Sequence, residues 1–231
     1  MTNIDNAPEH RKALYRETIR RSVIKDHTYK LARGSFSEFA RMKMVVAATQ
    51  PELAVAFENK VNRGAIPDYL IPGVEQGIQS VIGTGVLGYP LVGVKVSLMD
   101  GAYHDVDSSI LTFETAARTA FREALREAGP VVVEPFAVVT FVTSEKTSKA
   151  VIKSLKKCGG RVEAEMARAY GIAFTALAPL AEMPAFEVFL SETAGGRTNF
   201  SVRFNHYEHL DVEEAHDVPL RPFPTIAALR A

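Results

Sequence analysis

Residues 136–206 constrain the fold most, because their hydrophobic pattern switches between two periods in a fixed order. Alternating, β-branched stretches predict strands over Phe136–Thr143, Gly160–Ala167, Gly171–Pro179 and Asn199–His206. Helical spacing predicts helices over about Ser144–Cys158 and Leu180–Thr193. The order strand, helix, strand, strand, helix, strand is the ferredoxin-like plan: a sheet with both helices on one face. In the first helix, Val151, Leu155 and Cys158 fall on one side. Lys146, Lys149, Lys153, Lys156 and Lys157 fall on the other, a solvent-facing basic stripe suited to phosphate contact. Cys158, on the apolar side, reads as a small core hydrophobe rather than a nucleophile.

The first half mixes the two periods. Residues 14–30 fit helix or strand, and Phe36–Ala47 alternates like a strand. Val74, Ile78, Val81 and Ile82 predict a helix from about Pro72 to Ile82, which the glycines of 83–88 end and Pro90 forbids from continuing. Leu91–Met99 reads as a strand, and Asp100-Gly101 as a turn. The clearest helix is 110–128. Phe113, Ala116, Ala117, Ala120, Phe121, Ala124 and Leu125 form its apolar face, Arg118, Arg122 and Arg126 line another side, and Asp107, Ser108 and Ser109 supply cap candidates. Gly129-Pro130 stops it. Strand-like Val131–Glu134 runs to Pro135, which marks a domain boundary. The expectation is an α+β chain of two domains, 14–135 and 136–210, with a polar flexible leader at 1–13 and an acidic, proline-containing tail at 211–231.

Charge narrows the function classes. The 27 Lys+Arg balance 27 Asp+Glu, which argues against a wholly basic DNA-binding protein. The neutral sum hides strong segregation. Residues 1–45 carry ten basic groups against five acids, and residues 145–161 carry six against Glu145 alone. Residues 205–217 hold Glu208, Asp211, Glu213, Glu214 and Asp217 with no Lys or Arg. Two basic segments on one chain point to a polyanionic partner, although a solvated surface has the same composition. A single cysteine excludes an internal disulfide and fits a reducing, cytoplasmic setting. The chain shows neither a secretory leader nor an apolar run of about 18 residues, so no membrane partner is expected.

Most short motifs dissolve on inspection. Gly83-Thr84-Gly85-Val86-Leu87-Gly88 matches G-x-G-x-x-G, but it follows a helix and opens a strand, the reverse of a dinucleotide site. A phosphate-binding G-x-x-x-x-G-K-[ST] loop does not occur. His206 and His209 lack a supporting Cys or His cluster, so no metal is expected. Tyr103-His104-Asp105-Val106-Asp107-Ser108-Ser109 is the densest polar constellation. A turn plus a helix cap accounts for Asp107 to Ser109. Tyr103 and His104 remain, an aromatic and a weak base suited to stacking and hydrogen bonding with RNA bases. A hydrolytic role for His104 with Asp105 or Asp107 lacks an activated nucleophile.

Several strings resemble translation elongation factor G. Residues 65–75 (AIPDYLIPGVE), 88–92 (GYPLV) and above all 100–109 (DGAYHDVDSS) are similar to its fourth domain, and 179–183 (PLAEM) and 204–208 (FNHYE) to its fifth, in matching order over about Leu14–Leu210. The resemblance implies a fourth domain mixing sheet and helices with an unusual crossover, then the ferredoxin-like fifth domain already read from periodicity. It implies that a tip, with His104 at the matching position, approaches the decoding region of the ribosome. Arg33-Gly34 match a second tip loop, and Arg63 is a further tip candidate. Leu31 and Ala32 stand where the family commonly has glycine, and Ser37 replaces another, changes that predict a stiffer loop. The expected RNA-contacting set is therefore Arg33, Gly34, Arg63, Tyr103, His104 and Asp105 at the tip, with the five lysines as a separate face.

The family's GTPase, second and third domains would precede Leu14, where this sequence has 13 residues. The guanine-nucleotide and magnesium residues have no counterpart, so the expectation is a ribosome-binding module that is not an enzyme and uses no cofactor. The expected partners are ribosomal RNA and mRNA–tRNA, with a separate translational GTPase or a second copy as further candidates. The competing readings are a protein-interaction or dimerising module and a remnant of a longer factor.

Overall fold

Alternation along Phe36–Ala48 creates the spine of the first folded unit: Ala40, Met42, Met44 and Val46 are buried, and the residues between them turn to the other face. The computed structural model describes residues 14–62, 64–193 and 200–210, divided between the unit Arg16–Val132 and the unit Val133–Leu210, with which Leu14 and Tyr15 are grouped. The leader at 1–13, the tail at 211–231 and Arg63 lie outside the described residues.

In the first unit, β1 (Arg16–Ile19) precedes β2 (Val23–Arg33), β3 (Phe36–Ala48), β4 (Ala56–Asn59), α1 (Ile71–Ile82), β5 (Val94–Ala102) and α2 (Ile110–Glu127). The stretch that fitted helix or strand is thus two strands. The sheet order is β2-β3-β5-β4. The pairs β2–β3 and β3–β5 are antiparallel, whereas β4–β5 is parallel and connected through α1. Val94, Val96 and Leu98 of β5 join the β3 residues beneath Val74, Ile78 and Val81 of α1 and Phe113, Ala117 and Phe121 of α2.

Two glycines let those helices approach closely. A Cβ on Gly77 would stand 2.8 Å from Ala117 Cβ and 2.9 Å from Arg118 N, besides striking the Glu114 carbonyl, and one on Gly73 would strike the Ile110 carbonyl. Backbone cannot retreat as a flexible side chain can. Gly77→Ala is therefore expected to lose about 1–3 kcal/mol from overpacking, although alanine is the better helix former by about 1 kcal/mol. A urea midpoint equal to wild type would show that the helices part without cost.

Asp100-Gly101 is not the expected turn. Both residues lie inside β5, beside an irregularity in the β3–β5 register at Lys43/Met44. Glycine serves close packing here: a Cβ at 101 would strike Ile66 and sit 2.5 Å from the Arg41 carbonyl oxygen.

The second unit contains most of β6 (Pro130–Thr143), then α3 (Glu145–Lys157), β7 (Arg161–Arg168), β8 (Gly171–Pro179), α4 (Met183–Thr193) and β9 (Phe200–His209). The strand expected to end at Pro135 does not: β6 runs straight through it, and the two units divide within the same strand, between Val132 and Val133. Pro135 is opposite Tyr207, next to a register shift at Phe136/Ala137, the kind of irregular position where a strand tolerates a missing N–H. The strand order β9-β6-β8-β7 with two connecting helices is the ferredoxin-like arrangement, and the fold class is α+β. Val139, Phe141, Phe174 and Ala176 of the sheet face Val151 and Leu155 of α3 and Phe186 and Leu190 of α4. Phe141 stacks on Phe174 at 5.3 Å and meets Phe186 edge-on at 5.5 Å.

The glycine-rich stretch after α1 does bind an anion, but an internal one. Glu17 of β1 is fully buried, and its carboxylate accepts from Val86 N at 3.0 Å and Leu87 N at 2.7 Å. Gly85 has φ +55, and any Cβ there would strike the Glu17 carboxylate. Burial pushes the Glu17 carboxyl up to about 7, against the opposing pull of the backbone N–H groups of Val86, Leu87 and Tyr89.

Candidate nucleic-acid interface

The end of the first unit is assembled from a hairpin and a loop. Leu31, Ala32 and Arg33 continue β2 and pair with Glu38, Ser37 and Phe36, so only Gly34 and Ser35 turn. Gly34 takes φ +60, as a tight hairpin requires. The residues expected to stiffen this loop have extended the ladder to its last possible pair. Arg33 and Gly34 are exposed at the turn.

The second component is loop 103–109, between β5 and α2. It is stitched to β3 by three bonds: Phe39 N to Asp107 O at 2.9 Å, Ser108 Oγ to Phe39 O at 2.6 Å, and Ser37 Oγ to Asp107 Oδ1 at 2.5 Å. Ser109 caps α2, its Oγ accepting from Thr112 N at 3.1 Å. Glu38 joins the two parts, accepting from Tyr29 OH at 3.0 Å and Thr112 Oγ1 at 3.4 Å. Hairpin and loop are therefore presented as one piece.

His104 is just over half exposed. Its Nδ1 lies 3.3 Å from the N–H groups of Val106 and Asp107 and 3.1 Å from Asp107 Oδ2. The N–H groups need Nδ1 as an acceptor, and the carboxylate needs it as a donor. The neutral form that satisfies the backbone carries its proton on Nε2 and so keeps a donor on the other ring edge. A proton on Nδ1 exchanges the backbone bonds for the carboxylate.

Tyr103 is half-buried and packs on the core of the unit, which limits how much of its ring is presented. Asp105 is exposed, as is Val106 at 85%. A shallow groove of about 490 Å³ runs beside His104, lined also by Lys30, Ser37, Phe39, Tyr103 and Asp107. Lys30 Nζ lies 5.5 Å from the Phe39 ring centroid. Lys30, Ser37 and Phe39 were not in the contact set expected from the sequence. Their signal was the β2–β3 register, which brings Lys30 opposite Phe39. Arg33 and Gly34 do not line this groove, and Arg63 lies outside the described residues.

The second candidate surface is on α3. All five lysines are exposed, opposite the buried Ser148, Val151 and Leu155. Lys149, Lys153, Lys156 and Lys157 border a surface depression of about 530 Å³ floored by Ile152. Lys156 and Lys157 also sit in the last turn, where a cation complements the helix dipole. Cys158 is half-buried at the helix end.

The histidines of β9 belong to an ion-pair network. His206 Nε2 is 2.9 Å from Glu208 Oε1, and Arg161 contacts the same carboxylate at 2.5 Å, holding its pKa below the ordinary glutamate value. Among the described residues no group of three or more His, Cys, Asp or Glu is placed to hold a metal ion. No helix among them is long and apolar enough to cross a membrane.

Residues 12–129 match the family model for elongation factor G, domain IV, and residues 131–218 match the model for the elongation factor G C-terminus. Elongation factor G of Cereibacter sphaeroides strain KD131 is 42% identical over 195 residues, 84% of this chain and 28% of that protein. Elongation factor G of Dinoroseobacter shibae is 38% identical over 205 residues, 88% of this chain and 29% of that protein. This chain thus spans less than a third of the length of either relative. A crystal structure of a Thermus thermophilus protein superposes with TM-score 0.75 at 28% identity, covering 86% of this chain and 30% of that one.

Proposed function

The chain belongs to the elongation factor G family, in that family's domain IV and C-terminal regions, and from this premise we propose that it is a cytoplasmic, ribosome-binding translation module that acts by position rather than by bond chemistry. The hairpin at Arg33-Gly34 and the loop at Tyr103, His104 and Asp105 approach ribosomal RNA at or near the decoding site. Arg63 belongs to the same contact set. The α3 lysines contact RNA phosphates, where a compact ammonium needs no defined base.

The observation that carries this reading is the fastening of hairpin and loop through Ser37, Phe39, Asp107 and Ser108, which pre-organises the exposed His104 ring. A group fixed before contact loses less entropy on binding. The neutral Nε2–H form can donate to a ribose hydroxyl or a base edge. In this segment the tip contributes recognition, and hydrolysis of a nucleoside triphosphate is assigned to no residue of it.

The test is co-sedimentation of the purified chain with ribosomes over a salt series. Binding should weaken steeply with salt. His104→Ala should weaken it further while changing unfolding free energy by less than about 1 kcal/mol, because the lost bonds are at the surface. Absence of pelleting at low salt would overturn ribosome binding by this chain. An unfolded His104→Ala protein would make the residue structural.

A further inference from the structure

Helix α2 carries an arginine row that neither candidate surface uses. Arg118, Arg122 and Arg126 are four residues apart, so they progress around the helix by about 80° in all and rise along it by about 12 Å. They occupy the side opposite the buried Phe113, Ala117, Ala120, Phe121 and Ala124. The neighbouring positions on that side are Thr115 and Thr119, with one exposed apolar side chain, Leu111, two turns before Arg118, so the row itself is cationic and polar.

The carboxylates of α2 are unevenly distributed around it. Glu114 pairs with Arg118, whose Nε also donates to Ser80 Oγ at 2.9 Å. Glu123 and Glu127 turn the other way, both to Lys25, with Glu123 also 3.3 Å from His27. The row is extended at the helix C-terminus. Arg21 donates to the Glu127 carbonyl at 2.7 and 3.0 Å, and the Arg20 side chain runs alongside Gly129. Burial, then the charges of Arg126 and Arg118, pull the Arg122 guanidinium below its ordinary value, so these cations sense one another. An external anion relieves that repulsion.

We propose that the outer face of α2, through Arg118, Arg122 and Arg126 with Arg20 at its end, is a third RNA-contacting surface that grips the phosphate backbone of a ribosomal RNA helix. One nucleic-acid strand carries about one charge per 3.4 Å of axis, so a row of about 12 Å spans three to four phosphates. Guanidinium forks match phosphate oxygens bidentately; Arg126 and Arg20 are exposed for such contact, whereas Arg118, its Nε and Nη2 already given to Ser80 and Glu114, offers its remaining N–H groups. The inference rests on the ribosome-binding reading above.

The test measures ribosome pelleting between 50 and 200 mM salt, and anisotropy with two labelled RNA duplexes of unrelated sequence. The variant Arg20→Gln/Arg126→Gln removes two exposed cations and spares the half-buried Arg122. The triple variant Arg118→Gln/Arg122→Gln/Arg126→Gln is compared where its melt shows it folded. The double variant should bind several-fold more weakly, with a salt slope shallower by about 2, hence a drop across that range about tenfold smaller than wild type. Both duplexes should respond equally. An unchanged slope in a chain that still pellets would overturn the α2 proposal alone. Loss on one duplex only would overturn backbone recognition. Failure of wild type to pellet at low salt would overturn the ribosome reading and this surface with it.

Discussion

Replacing Lys146, Lys149, Lys153, Lys156 and Lys157 together by glutamine is expected to flatten the salt dependence of ribosome binding by about 4.5 units of log–log slope. Each phosphate contact contributes about 0.9 to that slope, so five contacts amount to roughly 500-fold between 50 and 200 mM salt. The fold should survive. All five side chains are exposed and none belongs to the apolar core formed by Val151 and Leu155. The one structural cost is at the C-terminal turn, where Lys156 and Lys157 complement the dipole by about 0.3–1 kcal/mol each. A variant that melts like wild type and keeps the wild-type slope would mean that these lysines are only a solvated surface. Glutamine keeps most of the stem that covers Ile152, so the change reads charge rather than packing.

That stripe was legible in the sequence because one helix period separates it from Val151 and Leu155. The whole second unit was legible for the same reason: each element keeps a clean period and ends at a glycine, proline or cap. Helix α2 was read to within a residue at its C-terminus, and Ser109 is its N-cap as the cluster before it suggested. Failures came where a residue answers to a distant partner. Gly101 looked like a turn glycine because the pressure of Ile66 and the Arg41 carbonyl on it is a tertiary fact. Pro135 looked like a strand end because the bulge in β9 that accommodates it belongs to another strand. In loop 103–109, Tyr103 and His104 could be named from local chemistry, whereas Asp105 came with the family resemblance. The bond from Ser37 to Asp107, seventy residues apart, could not, nor could the groove that Lys30 and Phe39 complete.

Glu17 is the extreme case, since nothing local marks it as buried, and it carries the largest expected effect on stability. Its carboxyl is raised to about 7 by burial, against 4.5 for the ordinary group. Between those values the folded chain holds a proton that the unfolded chain has released. The native state binds more protons, so stability must fall as pH rises through this window. The contribution is complete below about 4.5 and gone above about 7, and it amounts to about 3 kcal/mol. Other carboxylates act in the opposite sense. Glu123, lowered by Lys25, and Glu208, lowered by Arg161, lose stabilisation on acidification. The comparison with Glu17→Gln isolates the effect, because the amide keeps the shape and an acceptor for Val86 and Leu87 without a titrating proton. From pH 5 to 8 in urea, wild type should lose about 2.5 kcal/mol relative to the variant. Carboxyl-carbon NMR of wild type should place the Glu17 midpoint near 7, a readout that stands even if the variant folds poorly. Parallel stability curves, or a midpoint in the ordinary glutamate range, would show that the loop at 83–90 leaves the Glu17 carboxylate hydrated.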